Sequence, residues 1–368
     1  MKIIFWNWYK YESPKTLGQR KVRYLKLSLG IETSCDDTSV ALVDENGVVH
    51  CQLMASQVSG HLPFGGVVPE VASRLHYEAL LPLIDQLLGQ AQKSWSDVSL
   101  LAVSSRPGLV GSLLVGVVTA KTLALGLRKE LIGVNHIHGH IFSPFLRSIE
   151  EADSQNLQFP YLSLVVSGGH THLYLVESYT RVLELGKTRD DAAGEAFDKF
   201  SNLLRLGFPG GPLVDRFSKG GDRKAYDFPR AMLKRPGYEF SFSGLKASAM
   251  RLIQEIPAPI EDSQRSDLCA SFQEAICDVL IHQLSKASRN FSIRQVSISG
   301  GVSANSRLRE RAEKWAKEEG VFLKIPEMKY CTDNGSMIAY AGLMQSLSGW
   351  KSDQSLSPSP RALTGDFL

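Results

Sequence analysis

The apolar positions of this chain first become regular at Leu27. Leu27, Leu29 and Ile31 alternate with Ser28, Gly30 and Glu32, which predicts a strand over 27–32. A polar turn over 33–39 follows, and Val40 to Val43 predicts a second strand. Glu45-Asn46-Gly47 is a hairpin signal, after which a third strand returns over 48–54. Residues 69–92 have apolar positions at helical spacing and predict one long helix, with Pro82 as a point of kinking or division. A short strand over 100–104 leads through Pro107-Gly108 into a glycine-spaced helix over 109–127. The pattern then recurs: a strand over 161–166, the turn Ser167-Gly168-Gly169-His170-Thr171, and a returning strand over 172–177. A further glycine turn, Ser299-Gly300-Gly301, lies between a strand over 295–298 and a helix over 305–319. Two strand–turn–strand units, each followed by helices, predict a duplicated α/β architecture rather than one continuous sheet. The Ser- and Pro-rich stretch after Gly349 reads as a loosely held loop.

Composition narrows the class. At roughly 150 residues per domain, 368 residues predict two domains and three at most. A hydrophobic share of 43% and a charged share of 21% exclude a disordered or fibrous chain. The longest apolar run, Leu109 to Ala120, stops at Lys121 and reads as a buried helix rather than a membrane span. The net charge of +3 hides an asymmetry: residues 1–26 hold seven Lys/Arg against Glu12 alone, so the rest is net acidic. Any contact with a polyanion must therefore be a local patch. Residues 1–26 mix aromatics with bases, without an apolar core or a small-residue cleavage site, and read as an extension with no fold of its own. Five cysteines, with no CxxC spacing, argue against a disulfide framework or a cysteine zinc site and fit a reducing compartment.

Five constellations carry candidate chemistry. His136 and His140 stand at i and i+4, so a helix would project both imidazoles from one face at metal-binding separation, while His138 would point away. Two ligands do not make a site, and ordinary hydrogen-bonding histidines are the alternative. The glycine turns at 167–169 and 299–301 allow backbone N–H groups to approach phosphate oxygens. Asp191, Glu195 and Asp198 fall on one helical stripe, which points to a ligand or cation more than to a salt-bridged surface with Lys187, Arg189 and Lys199. Asp333, before a small-residue helix, can serve equally as its N-cap or as a hard oxygen ligand to a metal. Residues 219–235 carry six bases against two acids, with Arg223, Lys224 and Arg230 the candidates for contact with a phosphate backbone and a solvated loop the alternative.

Ten stretches in this order resemble the TsaD family of tRNA adenosine threonylcarbamoyltransferases. They are GIETSCDDTSVA (30–41), GGVVPEVASRLH (65–76), PGLVGSLLVG (107–116), NHIHGH (135–140), VVSGGHTHL (165–173), DDAAGEAFDK (190–199), FPGGPL (208–213), FSFSGLK (240–246), SGGVSANSRLR (299–309) and CTDNGSMIAYAG (331–342). The resemblance implies an actin/Hsp70/sugar-kinase-like α/β fold of two ribonuclease-H-like lobes with a ligand cleft between them. The first lobe would be 27–134 plus 336–368. The second, 135–335, would carry most of the metal and adenylate site, and residues 1–26 have no family counterpart. The implied reaction moves the threonylcarbamoyl group from L-threonylcarbamoyl-adenylate to the exocyclic amine of the adenine 3′ of the tRNA anticodon, releasing AMP. By the same resemblance, His136, His140 and Asp333 match metal ligands, with Fe(II) expected ahead of Zn or Mn. Val165, Val166, Ser167, Gly168, Gly169, Asp198, Gly211 and Asn305 match the adenylate-binding positions. Asp36 and Asp37 are the candidates for a general base. The implied partners are tRNA, a separate synthase that makes the adenylate, a site-lacking paralogue and a P-loop ATPase, with no membrane. The cytoplasm is the expected compartment, or the mitochondrion in a eukaryote.

Two departures from the family pattern stand out: His138 replaces a common Glu, and Arg106 replaces a Gly before Pro107-Gly108. Two other activities fit parts of the pattern. An ATP-hydrolysing or sugar-kinase-like enzyme of the same fold would have no use for a His/His/Asp metal site. A metalloprotease would need a glutamate after the first histidine, where Ile137 stands.

Overall fold

The computed structural model describes residues 25–64, 66–150, 156–363 and 366. Most of the N-terminal extension, residues 1–24, lies outside the described residues. The chain opens with three strands, β1 (Leu27–Glu32), β2 (Asp37–Asp44) and β3 (Val48–Ser56). The short helix α1 (Val58–His61), the long α2 (Pro69–Gln90), β4 (Val98–Arg106), α3 (Val110–Leu127), β5 (Glu130–Asn135), α4 (His136–Phe142) and β6 (Arg147–Ser148) follow. A second strand set comprises β7 (Tyr161–Val166), β8 (Thr171–Val176) and β9 (Val182–Lys187). Helices α5 (Ala193–Leu203), α6 (Gly210–Phe217), α7 (Ser243–Glu255) and α8 (Asp262–Phe291) come next. The chain closes with β10 (Gln295–Ser299), α9 (Ser306–Glu319), β11 (Phe322–Lys324) and α10 (Gly335–Leu347).

The duplication is visible in the sheets. The first runs β5-β4-β1-β2-β3-β6 and the second β11-β10-β7-β8-β9. In the first, β1 pairs antiparallel with β2 and parallel with β4, while β4 and β5 are parallel. The second repeats this with β7, β8, β10 and β11 in the same roles. Among the described residues, one compact unit takes residues up to Gly139, then 146–150 and 333–363, and the other takes 140–145, 156–332 and 366. The division falls inside α4, after Gly139.

In the first unit, alternation along β1 decides what meets what. Leu27, Leu29 and Ile31 join Val40, Leu42, Leu80, Leu83, Leu87, Val117 and Ala120 in a core under α2 and α3. Ser28, Gly30 and Glu32 consequently occupy the opposite face, where α10 lies. A side chain at Gly30 would meet the Gly335 carbonyl oxygen at 2.1 Å and Ala339 N at 2.5 Å, so glycine is required for that crossing. Pro82 does not divide its helix, since α2 runs unbroken through it.

Two sequence expectations need correction here. The helix over 109–127 is buried on one side only. Leu113, Gly116, Val117, Ala120 and Ala124 face inward, while Val110, Leu114, Val118 and Leu125 are exposed. By length and composition this helix is apolar enough to cross a membrane, and a third of it (33%) is buried in this fold. The segment after Gly349 is not loosely held. Ser352 bridges to Leu131, its hydroxyl accepts from Gly133 N–H at 3.0 Å, and Lys121 Nζ donates to the Leu356 carbonyl at 3.0 Å. The Leu356 side chain packs over Gly133, so one apolar residue in the polar tail anchors it to the sheet edge.

The second unit is built around aromatic packing. Phe200 stacks on Phe272 with ring centroids 3.9 Å apart, and Phe197 and Phe228 meet the same ring edge-on. These residues belong to α5 and α8 and the loop between α6 and α7, and they pack with Leu162, Leu164, Val166, Val296 and Ile298 from the sheet. Helix α8 is 30 residues long and opens with a capping box between Glu261 and Gln264. The acidic block before α5 also ties down a stretch of chain some fifty residues further on: Asp190 accepts from the Ser241 and Ser243 hydroxyls and from Phe242 N–H.

Candidate metal centre

The helix carrying the histidines starts directly where β5 ends. The Asn135 side chain accepts the Ile137 N–H at 2.8 Å, which turns the strand into α4 at His136. One helical turn then brings His136 and His140 to the same face, both buried. His138 points elsewhere, and its Nδ1 accepts from Gln345 Nε2 of α10 at 2.8 Å. Gly139 allows the same side of α4 to lie against Met337 and Ile338, because a Cβ there would sit 2.9 Å from Met337 Cγ.

Helix α10 places the third group. Its cap is Asn334, whose side chain accepts Met337 N–H at 2.9 Å, and Gly335 N–H donates to Ser39 Oγ at 2.9 Å. Of the two roles open to Asp333, capping therefore goes to its neighbour. Its Oδ1 stands 3.5 Å from His136 Nε2. One donor atom from each of His136, His140 and Asp333 lies within 4.8 Å of the others, so the trio offers two imidazoles and a carboxylate to one ion.

A residue not singled out from the sequence completes this arrangement. Glu32, fully buried at the end of β1, accepts from His136 Nδ1 at 3.0 Å, and Ser34 Oγ lies 3.1 Å from the same nitrogen. Glu32 Oε1 is held in turn by Ser34 N–H and by Ser104 Oγ. Because Nδ1 donates to Glu32, Nε2 is the nitrogen on the Asp333 side, and its lone pair becomes available to an ion once the ring gives up its second proton. Burial works against a charged His136, but Asp333 and Glu32 outweigh it and hold the group at about 9. The sequence carried no signal for Glu32, because alternation along β1 puts it on the polar face with Ser28 and Gly30, and that face is buried only because α10 covers it.

Asp36 and Asp37 lie in the turn between β1 and β2, and Asp37 is the first residue of β2. Burial and the neighbouring Asp36 push Asp37 up to about 6, and its Oδ1 is buried without a hydrogen bond. Burial raises the Cys35 thiol far above its usual range, with Asp36 and Asp333 adding to the effect.

The second unit brings most of the predicted adenylate positions together. Ser167 N–H donates to the His170 carbonyl at 2.8 Å, closing the turn, and Gly194 N–H donates to the Ser167 carbonyl. Gly168 and Gly169 are exposed, and a Cβ on either would meet nothing within 4 Å. Gly300, at φ +88°, packs its α-carbon against the Val166 backbone, so both glycine turns converge. Val165 and Val166 have fully buried side chains and offer a ligand only backbone. Asp198 Oδ1 accepts Gly210 N–H at 2.6 Å and thereby fixes the start of α6, beside Gly211. Asn305 caps α9 by accepting Leu308 N–H and donates to Gln273 Oε1 at 2.6 Å, so both ends of its amide already have protein partners.

Two charge readings change. Asp191 and Glu195 both pair with Lys199, at 2.6 and 2.8 Å, which makes that part of the acidic stripe an ion-pair cluster. Asp191 also precedes α5 rather than lying on it. In the basic segment, Arg230 is engaged by Asp278 at 3.1 Å and by the Phe228 carbonyl, and Arg223 reaches Glu310 at 3.5 Å. Among the described residues the Lys224 ammonium has no ion-pair partner, which leaves it as the most available of the three candidates.

Comparison with known proteins identifies the family. The family model described as tRNA N6-adenosine threonylcarbamoyltransferase matches residues 49–340. A protein of that name from Bdellovibrio bacteriovorus is 49% identical over 339 residues, covering 92% of this chain and 98% of its own. One from Dictyoglomus turgidum is 44% identical, covering 92% and 99%. Among solved structures, HypF from T. kodakarensis aligns with a TM-score of 0.58 at 15% identity, over 90% of this chain and 49% of its own. Component A of the Acidaminococcus fermentans (R)-2-hydroxyglutaryl-CoA dehydratase aligns at 0.50 and 13% identity, covering 88% and 99%. These two likenesses concern the fold, which is of the actin/Hsp70/sugar-kinase-like type.

Proposed function

The chain belongs to the tRNA N6-adenosine threonylcarbamoyltransferase family, and we propose that it carries out that transfer with a divalent cation held by His136, His140 and Asp333. It is a transferase acting on tRNA: the threonylcarbamoyl group passes from L-threonylcarbamoyl-adenylate to the exocyclic amine of adenine, and AMP leaves. The observation that carries the metal reading is the convergence of two buried imidazoles and a carboxylate, one imidazole oriented by Glu32. The ion would supply Lewis acidity and a fixed positive charge for oxygens that gain charge in the transition state. This donor set suits Fe(II), Zn or Mn, with Fe(II) our first choice.

The remaining work falls to the chain itself. The adenylate is a mixed anhydride and already activated, so the protein has to hold it, stabilise developing charge and admit a weak aromatic amine. The exposed backbone at Gly168 and Gly169 suits a phosphate, because glycine sets no side chain of its own beside these N–H groups. Gly211 offers the same open backbone at the start of α6, which Asp198 anchors, and Asn305 holds the turn that follows Gly300. As the amine nitrogen bonds to the carbonyl carbon, the carbon–oxygen bond to the adenylate phosphate breaks and one amine proton must leave. Asp37, raised to about 6 and with one oxygen lacking a partner, is our choice to receive it, with Asp36 beside it.

Lys224, with Arg223 near it, is our choice for contact with the tRNA backbone. Work within a complex with a site-lacking paralogue and a P-loop ATPase is supported by the exposed apolar faces of two packed helices, Tyr77 and Leu81 on α2 and Val110, Leu114 and Val118 on α3. Five free thiols support a reducing compartment, which we take to be the cytoplasm. Elemental analysis and nucleoside mass spectrometry on His136→Ala, His140→Ala and Asp333→Ala test the metal reading: each should lower both bound metal and modified adenosine. Full metal content in His140→Ala would overturn it.

A further inference from the structure

Behind the turn that carries Asp36 and Asp37 lies a row of buried polar side chains with no place in the chemistry described so far. His76, on α2, is completely buried. Its Nε2 is 3.0 Å from the Cys35 carbonyl oxygen and its Nδ1 is 2.7 Å from Thr38 Oγ1. A carbonyl only accepts, so Nε2 carries the proton and Nδ1 receives the Thr38 hydroxyl proton. Burial holds His76 below the ordinary histidine value, in keeping with that neutral form. Thr38 Oγ1 also accepts from Gln57 Nε2 at 3.5 Å, and Gln57 Nε2 reaches the Ala72 carbonyl at 3.4 Å. Gln57 Oε1 lies 3.3 Å from His61 Nε2, and His61 Nδ1 accepts Val68 N–H at 3.3 Å.

The row therefore joins both ends of the Cys35–Thr38 turn to α2 and to the backbone just ahead of α2. Charge alone would destabilise this turn, because it sets two carboxylates on adjacent residues, Asp36 and Asp37. Left unsupported, such a turn would relax to separate its charges. A side chain that grips the carbonyl of Cys35 and the hydroxyl of Thr38 prevents this.

We infer that His76 is a positioning residue for the transfer reaction, fixing the Cys35–Thr38 turn through Cys35 O and Thr38 Oγ1 so that Asp36 and Asp37 keep their place. Its hydrogen bonds go to Cys35 O and Thr38 Oγ1, not to a proposed metal ligand. The inference rests on the reading of Asp36 and Asp37 as the residues that receive the amine proton.

The test uses His76→Leu, His76→Gln and Thr38→Val in the full-length protein, assayed with tRNA and purified threonylcarbamoyl-adenylate. Leucine fills the space without a donor. The glutamine amide N–H can still reach the Cys35 carbonyl. For His76→Leu we expect kcat to fall about 30-fold, since small misplacements of reacting groups carry costs of that order. The KM for tRNA and the metal content should match the parent, and His76→Gln should recover most of the lost rate. Thr38→Val, which removes the hydroxyl that fixes the imidazole, should show the same loss in kcat without a change in KM, and it keeps the proposal open to refutation if His76→Leu does not fold. The inference is overturned by parent-like kcat in a folded His76→Leu or in Thr38→Val, or by glutamine and leucine variants that lose rate equally and in step with a fall in Tm. Failure of the underlying reading looks different: Asp36→Asn and Asp37→Asn would then retain the parent rate whatever His76 does.

Discussion

At the scale of single residues, Glu32 is the most informative feature of the metal centre. It offers the ion no ligand atom in the trio yet decides which nitrogen of His136 faces Asp333. Glu32→Gln should keep the fold and lower metal affinity by about 10–100-fold, the usual cost of losing a carboxylate behind a metal-binding histidine; competition against a chromogenic chelator measures it. The same contact makes binding pH-dependent. His136 is held at about 9, so a metal must displace its proton at neutral pH. Apparent affinity should climb about tenfold per pH unit up to that value and level off beyond it. For the metal-free protein the sign is opposite. The folded-state value lies above the ordinary histidine value of 6.5, so the stabilisation is complete below that pH and disappears as the pH rises through about 9. Urea unfolding with and without metal across this range distinguishes the two trends. In the proposed adenylate site, Asp198 would act on a ligand through backbone. Its carboxylate anchors the start of α6, so Asp198→Ala should weaken binding of a non-hydrolysable adenylate by about 1.5–3 kcal/mol, the worth of a charged hydrogen bond, while metal content stays at the parent level by elemental analysis. Unchanged affinity by calorimetry would return Asp198 to a purely structural role.

At the scale of elements, the metal centre depends on how closely α10 lies on the first sheet. Gly30, Gly335 and Gly342 remove the side chains that would hold it away: a Cβ on Gly342 would sit 2.6 Å from that of Ala102. Gly30→Ala should therefore destabilise by about 1–3 kcal/mol, as overpacking does, and should also lower metal affinity because Asp333 directly precedes α10. Urea denaturation and metal titration on one variant test both halves, and a loss of stability with parent metal affinity would separate the helix from the site. The basic segment 219–235 behaves differently from its composition. Arg230 braces α8 through Asp278, whereas Lys224 is exposed. Lys224→Glu should weaken tRNA binding and reduce its salt dependence by about one counterion, with adenylate affinity unchanged. Arg230→Ala should act mainly on stability. An unchanged salt slope for Lys224→Glu in filter-binding assays would make the segment a solvated loop.

At the scale of the whole molecule, the patterning of the chain was enough to read its duplicated strand–turn–strand plan, because β1 alternates and β2, β7 and β8 are short apolar runs bounded by glycine or polar turns. Helix α8 and strands β5, β9 and β11 escaped that reading. Residues of α8 are buried on nearly every side, so it has little of the amphipathic spacing that betrays a helix, and β11 is only three residues long. The docked tail was hidden for a related reason, since a single leucine among serines and prolines anchors it. The metal trio was half legible. An i, i+4 histidine pair is a local signal, but Asp333 lies almost two hundred residues away, and the residues alone left its role open between an N-cap and a ligand; only the family resemblance favoured the ligand. Glu32 and His76 were silent because their partners are distant in sequence: a buried acid or histidine becomes meaningful only when the fold supplies its neighbour. The central claim is that His136, His140 and Asp333 hold a metal ion needed for threonylcarbamoyl transfer to tRNA. Its most direct test incubates unmodified tRNA and threonylcarbamoyl-adenylate with the parent protein or His140→Ala, each in the presence of the partner proteins. Metal content is measured on the same samples, and the tRNA is digested for nucleoside mass spectrometry. The account predicts threonylcarbamoyladenosine and about one metal ion per chain for the parent, and loss of both for His140→Ala. Modified adenosine at parent yield from a metal-free His140→Ala protein would contradict it.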